Sequence, residues 1–321
     1  MAILFLLVPL SLLVLGLICQ TLASRRDDEK YQPPGNVVPV GHGNAALHVY
    51  CLGQGKPTVV LEAAQGDCSL DWRGVQAAAA EFTRVCAYDR PGLGWSSPGA
   101  TALTADQMAE NLRQALETAG ESGPYVLVGH SIGGVYVRVF AQKYPEDVAG
   151  LVLVDSAHEN QQQRMPADSM KGLQALKWLT YALGALAPFG IPRALKLADR
   201  LQGENFEADI RPAAMARMYQ THFFRSLRNE IRAVEVSTAQ ADPPRALNDV
   251  PLIVLSRGSL NPGLPDEQFE QQKQCWNELQ RELTMLSSNS RQIVAEKSGH
   301  YIQHDQPKLV VDAIRLLVEA A

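Results

Sequence analysis

The pentapeptide from Gly129 to Gly133 is the part of the sequence that most directly indicates chemistry. It reads Gly-His-Ser-Ile-Gly, a GxSxG pattern with Ser131 at its centre. The apolar run Tyr125–Val128 before it is typical of a strand, and the residues after it are typical of a helix. A sharp turn between a strand and a helix exposes a serine hydroxyl at the positive end of the helix dipole. We therefore predict that Ser131 is a nucleophile.

A serine nucleophile needs a base within hydrogen-bonding distance, and imidazole has a suitable pKa near neutral pH. His300 lies between a predicted strand, Gln292–Glu296, and the last predicted helix, Pro307–Glu319. A loop in that position returns to the carboxyl edge of a parallel sheet. His304, four residues later, is the competing candidate. We favour His300 as the general base.

The elements that position these side chains follow from the apolar pattern. From residue 37 onward, short runs of Val, Ile and Leu alternate with helical patterns, which predicts a mostly parallel sheet with helices on both faces. Residues 156–249 interrupt the alternation, and their apolar residues have helical spacing. A structureless loop of that length is uncommon in a compact domain. We therefore predict a core of residues 37–155 and 250–321, with an inserted helical cap at 156–249.

From about residue 36 to the end, the chain resembles the α/β-hydrolase superfamily. Besides the GxSxG pattern, residues 89–96 read DRPGLGWS, which is similar to the DRxGxGxS turn of that family. Ser298-Gly299-His300 precedes the last helix, as the catalytic histidine does in the family. The resemblance implies the α/β-hydrolase fold, with a mostly parallel central sheet flanked by helices.

The resemblance also implies an oxyanion hole. Residues 63–66 follow the predicted strand Thr58–Glu62 at the oxyanion-loop position, although relatives often carry His-Gly where this chain has Ala-Ala. The donor that the chemistry needs is a backbone N–H, so the departure removes no donor. By register we assign the two donors to the N–H groups of Gln65 and Ile132.

The acid that orients the histidine is less directly indicated. In the commonest family pattern a GxxD aspartate follows the strand Leu252–Leu255, but this chain has Asn261 there. Some relatives place the acid after the preceding strand, where this chain has Asp155. Asp266, with Glu267 beside it, also lies in reach of His300. We favour Asp155 and retain Asp266 as the alternative.

The N-terminus is set apart from the predicted core. Residues 2–19 contain no charge and are mostly Leu, Val, Ile and Phe, and Arg25 and Arg26 follow. A run of this length is at the short end of a membrane-spanning helix. We predict a single-pass membrane anchor over residues 1–23, with a cleaved secretory signal as the alternative, and a linker over residues 24–36.

Composition excludes several classes of function. The net charge is −5 with both signs interspersed, so no basic face favours nucleic acid. The five cysteines show no metal-binding spacing, and we predict that Cys51 and Cys86, which lie in predicted strands, are buried free thiols. We expect no cofactor and no metal, and the oligomeric state is left open.

Together these features predict a serine hydrolase with Ser131, His300 and Asp155 as its triad. It would cleave an ester, thioester or amide of a small hydrophobic molecule, because the predicted cap is rich in apolar and aromatic side chains. An acyltransferase with the same triad and a non-catalytic ligand-binding module of the same fold are the alternatives. The aspartate-nucleophile dehalogenases and epoxide hydrolases of the family are disfavoured by Ser131.

Overall fold

The computed structural model describes residues 2–41, 45–99, 104–242, 247–258 and 266–321. The strands of this part of the chain are β1 (Asn36–Pro39), β2 (Ala46–Leu52), β3 (Thr58–Glu62), β4 (Val85–Tyr88), β5 (Tyr125–His130), β6 (Val148–Val154), β7 (Leu252–Arg257) and β8 (Ser290–Ala295). The helices before β7 are α1 (Ala2–Lys30), α2 (Arg73–Ala79), α3 (Ala105–Thr118), α4 (Ile132–Lys143), α5 (Gln161–Arg164), α6 (Ala167–Leu186), α7 (Ile191–Ala194), α8 (Leu197–Gln202), α9 (Arg211–Met218) and α10 (Thr221–Gln240). After β7 follow α11 (Asp266–Thr284), α12 (Ile302–Asp305) and α13 (Pro307–Ala320).

All of these strands belong to one sheet of eight strands in the order β1-β2-β4-β3-β5-β6-β7-β8. The pairs β1–β2 and β2–β4 are antiparallel, and every pair from β4 through β3 to β8 is parallel. The parallel strands therefore end at one common edge of the sheet. The predicted mostly parallel sheet is confirmed.

Helices cover both faces of the sheet. Every residue of β3 and β5 is buried. Successive residues of β5 point to opposite faces of the sheet. Leu127 therefore packs with residues of α3 and α4 on one face, and Val126 and Val128 pack with residues of α2 and α13 on the other. A strand buried on both faces reads as a continuous apolar run. That is why the strands of the core were predictable from the sequence.

The segment between β6 and β7 contains helices α5 to α10 and short 3-10 turns. The longest are α6 and α10, which pack against each other, and α10 also packs on α3 and α4 of the core. In its described part this segment is helical, as the spacing of its apolar residues predicts. We call it the insertion.

The prediction of a membrane anchor is wrong. Among the described residues, no helix has the length and apolar character needed to cross a bilayer. The second half of α1 instead packs on the insertion: a Cβ added to Gly16 would lie 2.5 Å from the Phe189 carbonyl oxygen, and the buried Gln20 donates to the Tyr219 carbonyl at 2.7 Å. Residues 24–30, predicted as linker, form the last turns of this helix, where Asp27 pairs with Arg193.

The prediction of free thiols at Cys51 and Cys86 is also wrong, because the two form a disulfide. Antiparallel pairing places the residues opposite each other in β2 and β4, with their Cα atoms 4.0 Å apart. The sequence alone does not reveal this pairing, since the register of β2 on β4 arises only in the assembled sheet. Of the other cysteines, Cys68 is a buried free thiol.

Candidate active site

Ser131 lies in a strained turn between β5 and α4. Its backbone has φ +55° and ψ −123°, a conformation that non-glycine residues rarely adopt. The Ser131 N–H donates to the Val154 carbonyl at 3.1 Å. The turn also needs a glycine at position 133, where a Cβ would lie 2.6 Å from the Ala63 carbonyl oxygen. The sequence therefore places Ser131 at the carboxyl edge of the sheet, beside the segment that follows β3.

Asp155 and His300 are in direct contact. Asp155 directly follows β6, the strand next to β5, and is completely buried, while His300 lies in the loop between β8 and α12. The His300 Nδ1 is 2.6 Å from Asp155 Oδ2. Because an ionised carboxylate can only accept, Nδ1 carries the hydrogen and Nε2 is left as the basic nitrogen.

Two further side chains hold the Asp155 carboxylate. The Trp276 indole N–H donates to Oδ1 at 2.8 Å, and the Arg257 guanidinium donates to Oδ2 at 3.1 Å. The Arg257 backbone N–H donates to Oδ1 at 3.2 Å. Burial by itself raises the pKa of Asp155, but the positive charge of Arg257 and the hydrogen bond from His300 outweigh it and hold that pKa below its usual value. The carboxylate therefore stays charged although it is buried.

His130 links the Ser131 turn to the loop that carries His300. Its Nε2 is 2.8 Å from the His300 carbonyl oxygen, and its Nδ1 is 3.0 Å from the Gln303 amide nitrogen. Burial holds the pKa of His130 well below its usual value, so the ring is neutral. Nε2 then donates to the carbonyl and Nδ1 accepts from the amide. The rings of His130 and His300 are 4.6 Å apart.

These contacts bring Ser131 and His300 to the same edge of the sheet, but within the described part of the chain no hydrogen bond joins their side chains. Such bonds are often long in unliganded enzymes and shorten when substrate binds. The Ser131 residue and the His300 side chain are both partly exposed to solvent.

The alternative candidates for the acid and the base lie in α11 and α12. Asp266 and Glu267 begin α11, but their side chains lie outside the described residues, as does Asn261. His304 lies in α12, with its ring 5.5 Å from that of Tyr301 and its Nε2 3.7 Å from Asp71. His300, and not His304, contacts a carboxylate at the end of a core strand.

The segment after β3, residues 63–67, is held by a buried ionic network. Arg90, from the DRPGLGWS turn, donates to the carbonyl oxygens of Ala63 and Ala64 at 2.7 and 2.6 Å. The same guanidinium pairs with Glu62 and with Glu230 of α10, each at 2.6 Å. Because Arg90 and both carboxylates are almost completely buried, the network fixes the segment to both the core and the insertion.

The backbone N–H groups of this segment differ in their availability. The Gly66 N–H donates to Glu230 at 2.9 Å, and the Asp67 N–H donates to the Ala64 carbonyl at 3.0 Å. The Gln65 N–H forms no hydrogen bond with the described part of the chain. Ile132, the other predicted donor, is the first residue of α4, where N–H groups lack intrahelical partners.

A cavity of about 270 Å³ separates this segment from the insertion. Its wall consists mainly of apolar side chains from α6, α9 and α10, and Tyr301, next to His300, completes it. We call it the insertion cavity. It adjoins the segment at 63–67 through Gln65, Gly66 and Asp67.

Among the described residues, one group of potential metal ligands lies close enough together to bind an ion: Cys51, Cys86 and Glu121. The disulfide engages both sulfurs of that group. It lies in and beside the antiparallel part of the sheet, away from Ser131.

Sequence reasoning missed Arg257, Trp276 and Glu230. Arg257 and Trp276 are 102 and 121 residues from Asp155 in the chain, and neither stands in a recognisable motif. Glu230 is one of several charged residues on α10. The sequence does single out Arg90 through its place in the DRPGLGWS turn, but it does not indicate the partners of Arg90.

Comparison with known proteins agrees with this architecture. A profile described as "Alpha/beta hydrolase family" matches residues 42–313. An uncharacterized protein of Schizosaccharomyces pombe is 28% identical over 320 residues, which cover 87% of this chain and 54% of that protein. The chain thus spans about half the length of this curated relative.

Among solved structures, an esterase from Thermogutta terrifontis is 21% identical, with a TM-score of 0.61 and coverage of 88% of this chain and 97% of the esterase. An epoxide hydrolase of Bacillus megaterium is 18% identical, with a TM-score of 0.65 and coverage of 88% and 100%. Likeness at this level of identity establishes the fold alone. By the profile match, which extends over most of its length, the chain belongs to the alpha/beta hydrolase family.

Proposed function

We propose that this protein is a serine hydrolase that cleaves an ester, thioester or amide of a small hydrophobic molecule through an acyl-Ser131 intermediate. The observation that carries the proposal is the hydrogen bond between the buried Asp155 and His300, beside a serine held in a strained strand-to-helix turn. The apolar wall of the insertion cavity supports the hydrophobic substrate.

In the proposed reaction, Asp155 holds His300 in the tautomer whose Nε2 is free to accept a proton. Nε2 takes the proton of the Ser131 hydroxyl as Oγ attacks the carbonyl carbon. The resulting oxyanion accepts hydrogen bonds from the N–H groups of Gln65 and Ile132. The protonated His300 then gives its proton to the leaving group, and the acyl-Ser131 ester remains.

Water completes the cycle by the same groups. His300 Nε2 takes a proton from the water as its oxygen attacks the acyl carbon, and then returns the proton to Ser131 Oγ as the acid departs. The charge on Asp155 stabilises the imidazolium that forms in both steps. Arg257 partly offsets that charge, so Asp155 stabilises the imidazolium less than an isolated carboxylate does.

The first test treats the full chain with a fluorophosphonate, beside a Ser131→Ala control, and measures intact mass. We expect one adduct per chain in the wild type and none in the control. Well-folded wild-type protein that stays unlabelled would contradict the proposal and favour a ligand-binding module. Product analysis with an added alcohol then separates hydrolysis, which releases the acid, from acyl transfer, which gives a new ester.

A further inference from the structure

The insertion cavity has a wide apolar part. Side chains from five helices of the insertion, α6 to α10, form its wall, among them Leu179, Leu183, Met218, Phe223, Phe224 and Leu227. Leu176 and Leu201 also line it and are more than half exposed. The cavity therefore opens to solvent between apolar side chains, as an entrance for an apolar chain.

The polar part of the cavity wall includes Gln65, Asp67 and Tyr301. Asp67 is 4% exposed. Tyr301 hydrogen-bonds to the Asp67 carboxyl. The Asp67 Oδ2 atom and the Gln65 Nε2 atom are both buried, and neither of these two atoms has a hydrogen-bond partner in the described part of the chain. An unpaired buried polar atom costs about 1–3 kcal/mol. Two of them, two residues apart in one turn at the wall of a cavity, indicate a site for a polar group of a ligand.

The two atoms differ in hydrogen-bonding character. The Gln65 amide nitrogen can only donate, whereas Asp67 Oδ2 can accept in either protonation state. Burial, with a smaller contribution from Asp71, raises the pKa of Asp67 well above its usual value. The raised pKa favours the protonated carboxyl over the carboxylate, and a protonated carboxyl at the wall of an apolar cavity favours a neutral ligand group over a cation.

A hydroxyl is the smallest neutral organic group that matches this pair. Its oxygen accepts from Gln65 Nε2–H, and its hydrogen is donated to Asp67 Oδ2, so one group satisfies both atoms. A carbonyl oxygen only accepts, so it leaves Asp67 Oδ2 unpaired unless the carboxyl proton lies on that atom. An alkyl chain leaves both atoms unpaired.

We propose that the insertion cavity binds the acyl chain of the substrate and that Gln65 and Asp67 bind a hydroxyl on that chain close to the ester. This rests on the proposed serine-hydrolase function, in which the Gln65 backbone faces the reacting carbonyl. A methylene group is about the size of a water molecule, whose share of liquid volume is roughly 30 Å³, so a cavity of about 270 Å³ holds about nine such groups. The substrate class is thus a medium-chain hydroxyacyl ester with its hydroxyl at C2 or C3.

The test compares p-nitrophenyl esters of decanoic, 2-hydroxydecanoic, 3-hydroxydecanoic and 10-hydroxydecanoic acid. We expect kcat/KM for the 2- or 3-hydroxy ester to exceed that for the plain decanoyl ester by about 10- to 100-fold, because the plain chain leaves buried polar atoms unpaired. The 10-hydroxy ester gains nothing, since its hydroxyl is at the end of the chain, far from the ester. Equal rates for all four esters, or a preference for the 10-hydroxy ester, would overturn the proposal.

Variants assign the preference to the two side chains. Asp67→Ala and Gln65→Ala each lower the ratio between hydroxy and plain esters to about 3 or less, whereas Asp67→Asn, which still offers an acceptor, restores part of it. Asp209→Asn is the matched control, because its carboxylate lies on the surface in an exposed pair with Arg73, and it keeps the full ratio. A ratio that survives in both alanine variants would contradict the assignment.

Fluorophosphonate labelling distinguishes failure of the proposed hydroxyl site from failure of the proposed hydrolase function. If Ser131 is labelled in the wild type and in both alanine variants but the hydroxyl preference is absent, the hydroxyl site is wrong and the hydrolase proposal stands. If the wild type is not labelled, the proposed function itself is wrong. Labelling of the variants also shows that they are folded.

Discussion

Asp155 is a charged residue in a place that water does not reach. It is completely buried, and its two oxygens accept hydrogen bonds from His300, Trp276 and both the side chain and backbone of Arg257. Such a set of donors favours the ionised form. The stability that Asp155 contributes is therefore present above the pKa of the unfolded chain and is lost as pH falls through the lower pKa of the folded state.

Replacing Asp155 by Asn tests its role as the acid of the proposed triad. The amide no longer selects the His300 tautomer, so we expect kcat to fall by about 10³- to 10⁴-fold with little change in KM. Steady-state kinetics on an activated ester measures it. Asp266→Asn is the matched control and retains nearly full activity. If Asp266→Asn causes the large loss instead, Asp266 is the acid.

For Asp67 we expect the opposite dependence of stability on pH, because burial raises its pKa. At pH values between the pKa of Asp67 in the unfolded chain and its pKa in the folded protein, the folded protein keeps the proton and the unfolded chain has lost it. The contribution of Asp67 to stability therefore declines as pH rises above about 4. We expect the Asp67→Asn protein to have the same free energy of unfolding as the wild type near pH 4. Above that pH its free energy of unfolding exceeds that of the wild type by up to about 1.4 kcal/mol more for each pH unit, until the folded-state pKa of Asp67 is reached. Urea denaturation at several pH values measures this. A constant difference at all pH values would exclude a protonated Asp67.

The candidate triad shows what a sequence discloses at the level of residues. Ser131 and His300 stand in local patterns, and Asp155 follows a predicted strand at a position where some relatives in the family place the acid. Arg257 and Trp276 were not predicted, because their contact with Asp155 depends on how β7 and α11 pack beside β6. The disulfide between Cys51 and Cys86 was missed for the same reason, since it depends on strand register.

At the level of elements, α10 contributes directly to the candidate site. Glu230 of this helix accepts from the Gly66 N–H and pairs with Arg90, which in turn holds the carbonyl oxygens of residues 63 and 64. The position of the Gln65 N–H is thereby set by a helix outside the core sheet. The insertion is thus part of the scaffold for the proposed oxyanion hole as well as a wall of the cavity.

Substituting Glu230 by Gln tests this coupling. The Gln side chain can still accept from Gly66, but it loses the ion pair with Arg90, so the segment at 63–67 becomes less well fixed. We expect kcat to fall by about 10-fold or more with a smaller change in KM, since an oxyanion donor acts mainly in the transition state. Glu235→Gln, an exposed position on the same helix, serves as control. Unchanged kcat in a folded Glu230→Gln protein would contradict this role.

The elements themselves were largely predictable. Core strands are buried on both faces and read as continuous apolar runs, and the helices of the insertion have clear apolar spacing. The end of α1 was not predictable, because charged residues directly after an apolar run are equally typical of a linker. In the structure Asp27 and Asp28 pair with Arg193 and Arg217 of the insertion, and these partners are more than 160 residues away in the chain.

In the whole molecule, the N-terminal region joins the insertion to the core. The α1 helix contacts the insertion through Gln20, Asp27 and Asp28, and just beyond its end the Tyr31 carbonyl accepts from the Trp95 indole of the core at 2.7 Å. One continuous segment thus touches both parts. The insertion is held at this end and, through Glu230, beside the candidate site.

The disulfide is a second connection at this scale, and it joins β2 to β4 across 35 residues. Removing it frees the unfolded chain from a closed loop, so we expect the Cys51→Ala/Cys86→Ala protein to lose about 2–4 kcal/mol of unfolding free energy. Denaturant titration measures the loss, and a reductant should reproduce it in the wild type. Cys275→Ala, which removes a free thiol, should change little. Equal stability with and without the disulfide would contradict the expectation.

Trp276 has a further consequence for experiment. Its indole N–H donates to Asp155, and the Arg257 guanidinium lies 4.3 Å from its ring centre. Indole emission responds to charge close to the ring, so a change in the protonation of the Asp155–His300 pair alters the fluorescence of Trp276. Emission that is lost in a Trp276→Phe variant identifies the part due to Trp276 among the four tryptophans. The protein therefore contains its own optical reporter, through which titration or acylation of the site can be followed without an added dye.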